Sequence, residues 1–197
     1  MKIVNPKIGH GKGNMIDRTN FLDLSKPIKK NLLKSLPHWE QDGVLQFITL
    51  RLRDSLPDSK LDELREKLKN SEENALLYKD LEIINFYLTQ GHGSCILKYA
   101  EIQDIVDKAI NFYDGDRYEL FDYVIMPNHI HILIIPYFPV EDIMLFLKRY
   151  TTTMINKYLK QRGGVWQDDY FDRMMRNYDD YSIVSSYIKG NPLGLKK

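Results

Sequence analysis

Two apolar runs separated by only two residues constrain the fold more than any other feature of this chain. The first covers residues 118–126 and the second residues 129–136, with Pro127 and Asn128 between them. Proline and asparagine are typical of tight turns. The sequence therefore predicts two antiparallel strands joined by a short turn, and an antiparallel sheet is the starting point for the fold.

Helices and further strands are predicted around this hairpin. Over residues 44–53 the side chains alternate in polarity and β-forming residues are frequent, which predicts a strand. Residues 94–98 are a candidate for a second, short strand. Segment 166–176 is interpreted as irregular. Helical spacing predicts helices over residues 59–68, 74–89, 101–112, 140–160 and 179–189. Strands separated by helices, with one tight hairpin, favour an α+β sandwich on an antiparallel sheet.

The first forty residues differ in composition from the rest. They hold eight Lys and Arg against three Asp and Glu, and contain three glycines and three prolines with weak periodicity. Such a segment favours turns and irregular structure. We interpret residues 1–40 as a basic N-terminal arm, extended or loosely packed, and residues 41–197 as the folded domain.

Composition excludes several classes of protein. The chain has 197 residues, of which 43% are hydrophobic, enough for one sizeable core. No apolar run approaches the ~18 residues that span a membrane, and residues 1–14 do not resemble a signal peptide. The single cysteine, Cys95, excludes an internal disulfide and a multi-cysteine zinc site. A cytoplasmic protein is the default expectation.

Charge is unevenly distributed although the net charge is only +1. Residues 143–167 hold five Lys and Arg and no acidic residue, whereas residues 101–122 hold seven acidic and two basic ones. A folded chain with this pattern can present one basic and one acidic face. Chance patterning on solvated helices is the alternative, and charge alone does not decide between the two.

The second strand of the hairpin carries two histidines separated by one residue. Side chains alternate along a strand, so His129 and His131 share a face, about 7 Å apart by strand rise. Two such imidazoles can converge on one divalent ion. The alternative is a pair of half-exposed histidines on a sheet.

Two further groups of residues have both a functional and a structural interpretation. Tyr187 and Asn191 are four apart at a predicted helix end and share a face, yet they could simply pack and cap the helix. Segment 166–176 places aromatic residues between charges. It either positions a nucleic-acid backbone or covers an edge of the core.

Each of these motifs alone is a weak indicator of function, but all of them in this order are a specific one. The order is Val124-Ile-Met-Pro-Asn-His-Ile-His131, then Trp166-Gln, then Tyr170-Phe-Asp-Arg-x-x-Arg176, and last Tyr187-Ile-x-x-Asn-Pro192. The combination resembles the REP-associated tyrosine transposases of the single-tyrosine HUH family, in which two histidines flank a hydrophobic residue. The likeness covers roughly residues 44–192.

This resemblance implies a fold, an activity and a set of site residues. The fold would be a ferredoxin-like α+β sandwich with the histidine pair on a central antiparallel strand. The activity would be metal-dependent cleavage and rejoining of DNA through a 5′-phosphotyrosine. Tyr187 matches the nucleophile, and His129, His131 and Asn191 match the metal ligands. Mg²⁺ or Mn²⁺ suits such oxygen and nitrogen ligands, although histidines also admit zinc.

Single-stranded or hairpin DNA is the expected substrate, bound by a monomer or a homodimer. The basic arm and five side chains are candidates for the DNA-binding groove, namely Lys148, Arg149, Lys157, Arg173 and Arg176. Tyr170 is the competing nucleophile. The main alternative function is a domesticated DNA-binding regulator derived from a transposase. A histidine-triad hydrolase would need a third histidine where Leu133 stands.

Overall fold

The computed structural model describes residues 1–11, 15–31, 38–57, 59–60, 62–63 and 77–190. Its strands are β1 (Lys7–His10), β2 (Lys29–Asn31), β3 (His38–Glu40), β4 (Gln46–Arg51), β5 (Tyr118–Ile125), β6 (His129–Pro136) and β7 (Phe171–Met174). Its helices are α1 (Leu77–Leu88), α2 (Ala100–Phe112), α3 (Val140–Leu159) and α4 (Tyr178–Gly190). Short 3₁₀ turns lie at Arg18–Asn20 and Ile96–Lys98.

Five strands form one antiparallel sheet in the order β1-β5-β6-β4-β7. Within it, β4, α2, β5, β6, α3 and β7 come in the chain order β-α-β-β-α-β, with α1 as an additional helix between β4 and α2, and the four strands lie in the order second, third, first, fourth. This is the ferredoxin-like arrangement, so the predicted α+β fold is confirmed. Strands β2 and β3 pair separately.

The two faces of the sheet have different covers. Helices α2 and α3 pack against one face, where Val106 and Leu147 share a cluster with Ile130 and Ile132 of β6. Helix α4 covers the other face, where Val184 joins a second cluster. Because side chains alternate along β6, the face towards α4 is the one that carries His129 and His131. None of the helices in the described part of the chain is long and apolar enough to span a membrane.

Part of the predicted arm belongs to the sheet. Strand β1 pairs with β5 at the sheet edge, with Gly9 opposite Tyr123. A Cβ on Gly9 would lie 2.0 Å from the Tyr123 ring, so only glycine lets this ring cross the strand. Of the two predicted alternatives, extended or loosely packed, Lys7–His10 is extended and paired in the sheet, and the division at residue 40 stays a prediction.

Two local predictions are wrong. The strand expected over residues 94–98 is a 3₁₀ turn, because Cys95 adopts a left-handed conformation with φ 49° and interrupts extended backbone. Segment 166–176 is not wholly irregular, since Phe171–Met174 pairs with β4 as an edge strand. Because this strand has only four residues and mixes charged with apolar side chains, its sequence does not identify it as a strand. Most of the helix predicted over residues 59–68 lies outside the described residues.

A buried ionic cluster joins β3 to β7. The His38 imidazole contacts the carboxylates of Asp172 (Nδ1 to Oδ1, 2.5 Å) and Asp169 (Nε2 to Oδ1, 2.9 Å). Gln46 of β4 donates a hydrogen bond to the second oxygen of Asp172. Burial opposes a charge on His38, but the hydrogen bonds to the two carboxylates outweigh it and raise the pKa of His38 to about 9.

We expect this cluster to make the free energy of unfolding fall in mildly alkaline solution. The pKa of His38 is raised from 6.5, so its contribution is complete below about pH 6.5 and is lost as the pH rises through about 9. We expect the free energy of unfolding to fall by about 3 kcal/mol across this window. Urea titrations at pH 6 and pH 9 test this. His38→Gln should remove this fall in the free energy of unfolding, and His92→Gln should keep it. The same fall in all three proteins would contradict the assignment to His38.

Candidate active site

The two histidines of β6 lie side by side beneath helix α4. Their ring centroids are 4.7 Å apart, and the two residues are 1% and 0% exposed. The prediction that they share a face is confirmed, but they are buried rather than half-exposed. Each therefore depends on protein groups to fix its orientation and protonation.

His129 is held in one tautomer by the turn that precedes it. Its Nδ1 lies 2.7 Å from Oδ1 of Asn128, and Nδ2 of Asn128 donates to the carbonyl of Leu88 at 3.0 Å. An amide oxygen only accepts hydrogen bonds, so Nδ1 of His129 carries the proton. The lone pair is left on Nε2, a buried atom with no hydrogen-bond partner among the described residues.

His131 is oriented by the neighbouring strand. Its Nδ1 is 2.8 Å from Oγ1 of Thr49, which lies directly opposite on β4, and its ring stacks on Phe47 at a centroid distance of 5.2 Å. A hydroxyl both donates and accepts hydrogen bonds, so this contact is compatible with the tautomer of His129, in which Nδ1 donates to Thr49 and the Nε2 lone pair is directed towards α4.

Both imidazoles are neutral at physiological pH. Burial lowers the pKa of His129 to about 3. Burial, aided by the proximity of His129, also lowers the pKa of His131 well below its ordinary value. Neutral imidazole is the form that binds metal ions, so no proton has to leave before an ion binds.

Helix α4 brings a phenol to this pair. The hydroxyl of Tyr187 lies 3.3 Å from Nε2 of His131 and 3.4 Å from Oδ1 of Asn85 on α1. The Tyr187 ring meets His131 edge to face at 5.2 Å. A phenol hydroxyl and two imidazole rings are thus together within one chain.

The imidazole nitrogens of the two histidines supply part of the ligand set that a divalent ion needs. An unpartnered, buried imidazole nitrogen beside a second imidazole is a typical start of a metal site. The described residues contain no group of three or more His, Cys, Asp or Glu side chains that could hold an ion. Asn191, the predicted third ligand, lies outside the described residues.

Part of the sequence matches a known protein family. Residues 101–191 match the family model described as "Transposase IS200 like". The resemblance to tyrosine transposases is confirmed. The segment that matches this family model includes His129, His131, Tyr187 and Asn191.

A solved structure matches this chain, whereas the comparison with curated proteins gave no match. The solved structure of a REP-associated tyrosine transposase bound to a REP hairpin is 19% identical, with a TM-score of 0.45, over 78% of this chain and 68% of that one. No curated protein matches the sequence significantly.

The predicted DNA-binding residues lie in two places on the folded chain. Lys148, Arg149 and Lys157 belong to α3, on the sheet face opposite the histidine pair. Arg149 and Lys157 are exposed, and Nζ of Lys148 donates to the carbonyl of Asp168 at 2.8 Å.

The other two predicted residues lie nearer to α4. Arg173 is on β7 directly opposite Phe47, and so on the histidine face. Arg176 forms a two-point ion pair with Asp180, with contacts of 2.8 and 3.2 Å. Asp180 lies in the first turn of α4, so Arg176 has a structural role at the start of this helix.

Tyr170 is separated from the candidate active site. It packs in the cluster beneath α2 and α3, stacked on His38 at a centroid distance of 4.2 Å. Burial, with the nearby carboxylates, raises the pKa of its phenol. A buried phenol on the other face of the sheet is poorly placed to compete with Tyr187.

Sequence reasoning missed four polar residues around the pair. Thr49, Asn85 and Asn128 contact the site as described above. Arg51 is 9% exposed and lies directly opposite His129 in the β4–β6 pairing. Alternation along β4 could have placed Thr49 and Arg51 on the histidine face, whereas nothing in the sequence marks Asn85.

Proposed function

We propose that this chain cuts and rejoins single-stranded or hairpin DNA, with Tyr187 as nucleophile and with a divalent ion held by His129 and His131. One observation carries the proposal: the Tyr187 hydroxyl lies 3.3 Å from Nε2 of His131, beside the buried lone pair of His129. The match of residues 101–191 to IS200-like transposases supports the same chemistry.

The proposed reaction exchanges one phosphoester for another. The Tyr187 oxygen forms a bond to phosphorus, the bond from phosphorus to the 3′ oxygen breaks, and the products are a 5′-phosphotyrosine and a 3′-hydroxyl. The phenol proton is released to water, and the leaving oxygen takes a proton from water. Since a phosphoester is retained, another 3′-hydroxyl can reverse the step without ATP.

Activation of the phenol is the main difficulty. A phenol has an ordinary pKa near 10, so forming phenolate at pH 7 costs about 4 kcal/mol. A bound Mg²⁺ or Mn²⁺ would polarise the scissile phosphate and stabilise the charge that develops on its oxygens. His129 and His131 would supply imidazole nitrogens to this ion, and we propose Asn191 as the third protein ligand.

A covalent-adduct assay tests the proposal directly. Labelled hairpin oligonucleotides from the genomic flanks of the coding sequence are incubated with the full chain and Mn²⁺, then separated on a denaturing gel. We expect a labelled protein band that requires both the ion and an unpaired strand next to the hairpin. Tight hairpin binding with no adduct at any ion concentration would contradict it and favour the domesticated regulator.

We propose the exposed basic surface of α3 as a DNA-binding surface. Each neutralised phosphate of a single strand contributes about 0.7 to the slope of log affinity against log salt. We therefore expect the double variant Arg149→Ala, Lys157→Ala to reduce this slope by about 1.4, measured by fluorescence anisotropy with a labelled hairpin. The control Lys108→Ala changes an exposed lysine on α2 and should leave the slope unaltered. An unchanged slope in the double variant would mean that α3 is only a solvated face.

A further inference from the structure

Helix α1 adds two polar contacts to the site although it lies outside the segment matched to transposases. The carbonyl of Leu88 holds the Asn128 amide that orients His129. Three residues earlier along the helix, Oδ1 of Asn85 lies 3.4 Å from the Tyr187 hydroxyl. Helix α1 thus contacts both the Asn128 side chain that orients His129 and the Tyr187 hydroxyl.

Packing fixes the position of Asn85. Its neighbours Ile84, Tyr87 and Leu88 are at most 2% exposed and form a cluster with Leu56, to which Phe171 also packs. Phe171 pairs with Thr49, the residue that orients His131. The Asn85 side chain therefore projects from a helix that packs against β7, the strand paired with β4.

The Tyr187 hydroxyl is shared between two acceptors. Its distances to Nε2 of His131 and Oδ1 of Asn85 are 3.3 and 3.4 Å, both longer than the ~2.8 Å of a well-formed O–H···O bond. Catalytic hydrogen bonds are often long before substrate binds and tighten afterwards. If the His131 lone pair binds an ion, it no longer accepts from the phenol, and Asn85 remains as an acceptor.

We propose that Asn85 is a further catalytic residue, whose amide oxygen accepts the Tyr187 hydroxyl hydrogen and so directs an oxygen lone pair towards the scissile phosphate. Asn85 takes up no proton itself. Correct orientation of a nucleophile contributes substantially to rate. The proposal rests on the proposed function, because it assigns a role at the same reacting oxygen.

Two substitutions of Asn85 separate orientation from packing. Asn85→Leu keeps the size but removes the acceptor, whereas Asn85→Asp keeps an acceptor oxygen. Single-turnover adduct formation is measured with saturating hairpin and Mn²⁺. We expect about a 100-fold loss of rate for the leucine variant, and a rate within about tenfold of the original chain for the aspartate variant. Phe86→Ala, at an exposed position on the same helix, should have no effect.

Three readouts besides rate accompany the assay. Hairpin affinity, Mn²⁺ affinity by calorimetry and the unfolding temperature should all be unchanged in the leucine variant. An undiminished rate would overturn the proposal. So would a parallel loss of Mn²⁺ affinity, which would make Asn85 a metal ligand, or equally slow leucine and aspartate variants with lowered unfolding temperatures, which would make it structural. If the original chain forms no adduct, the proposed function itself fails.

Discussion

Tyr187→Phe should abolish the covalent protein–DNA adduct and leave hairpin binding unchanged. The substitution removes only the hydroxyl that lies 3.3 Å from His131, while the ring keeps its edge contact with Phe47. Without the oxygen no phosphotyrosine can form at this position, so the adduct should fall below detection. Denaturing gels report the adduct, and anisotropy reports the binding.

Two tyrosines serve as controls. Tyr178→Phe changes an exposed ring on the same helix, and Tyr170→Phe changes the competing phenol on the other face of the sheet. Both variants should retain the adduct. Mass spectrometry of the trapped peptide then identifies the attached residue. An adduct on the peptide containing Tyr170, with Tyr187 unmodified, would show that the assignment is wrong.

Replacing either histidine of the pair should separate cleavage from binding. We expect His129→Ala and His131→Ala each to lower the adduct rate at least about 1,000-fold, since stabilisation of the phosphate charge by an ion is worth several kcal/mol. Hairpin affinity should change little, because phosphate contacts made by Lys and Arg dominate it. His92→Ala, which removes an imidazole outside β6, is the matched control.

A binding measurement without DNA completes this test. An ion that binds only the folded chain raises its unfolding temperature. Mn²⁺ should produce such a rise in the original chain and in His92→Ala, but not in His129→Ala. A full rise in His129→Ala, or equal losses of cleavage and hairpin binding, would contradict a metal site at this pair.

Local patterns account for what the sequence predicted well. The hairpin follows from two apolar runs and a two-residue turn, and the shared face of His129 and His131 follows from alternation along one strand. Both depend only on residues adjacent in sequence. Strand β7 was missed because it has four residues and obtains its structure from pairing with β4.

Contacts between distant segments could not be derived in this way. The approach of Tyr187 to His131 joins residues 56 apart, and before the structure it rested on family resemblance alone. Asn85 is 102 residues from Tyr187, on a helix whose sequence shows no sign of a site. Counting charges likewise identified the basic stretch but not the sheet face on which α3 packs.

The placement of both imidazoles on one strand makes the site sensitive to changes in chain length. Side chains alternate with a period of two, so a shift of β6 by one residue would turn both rings away from α4 and place Ile130 and Ile132 beneath it. A single-residue insertion between Asn128 and His129 would therefore remove the pair together and bury two polar rings in the opposite core. Length changes should therefore be accepted far more readily in loops than within this turn and strand.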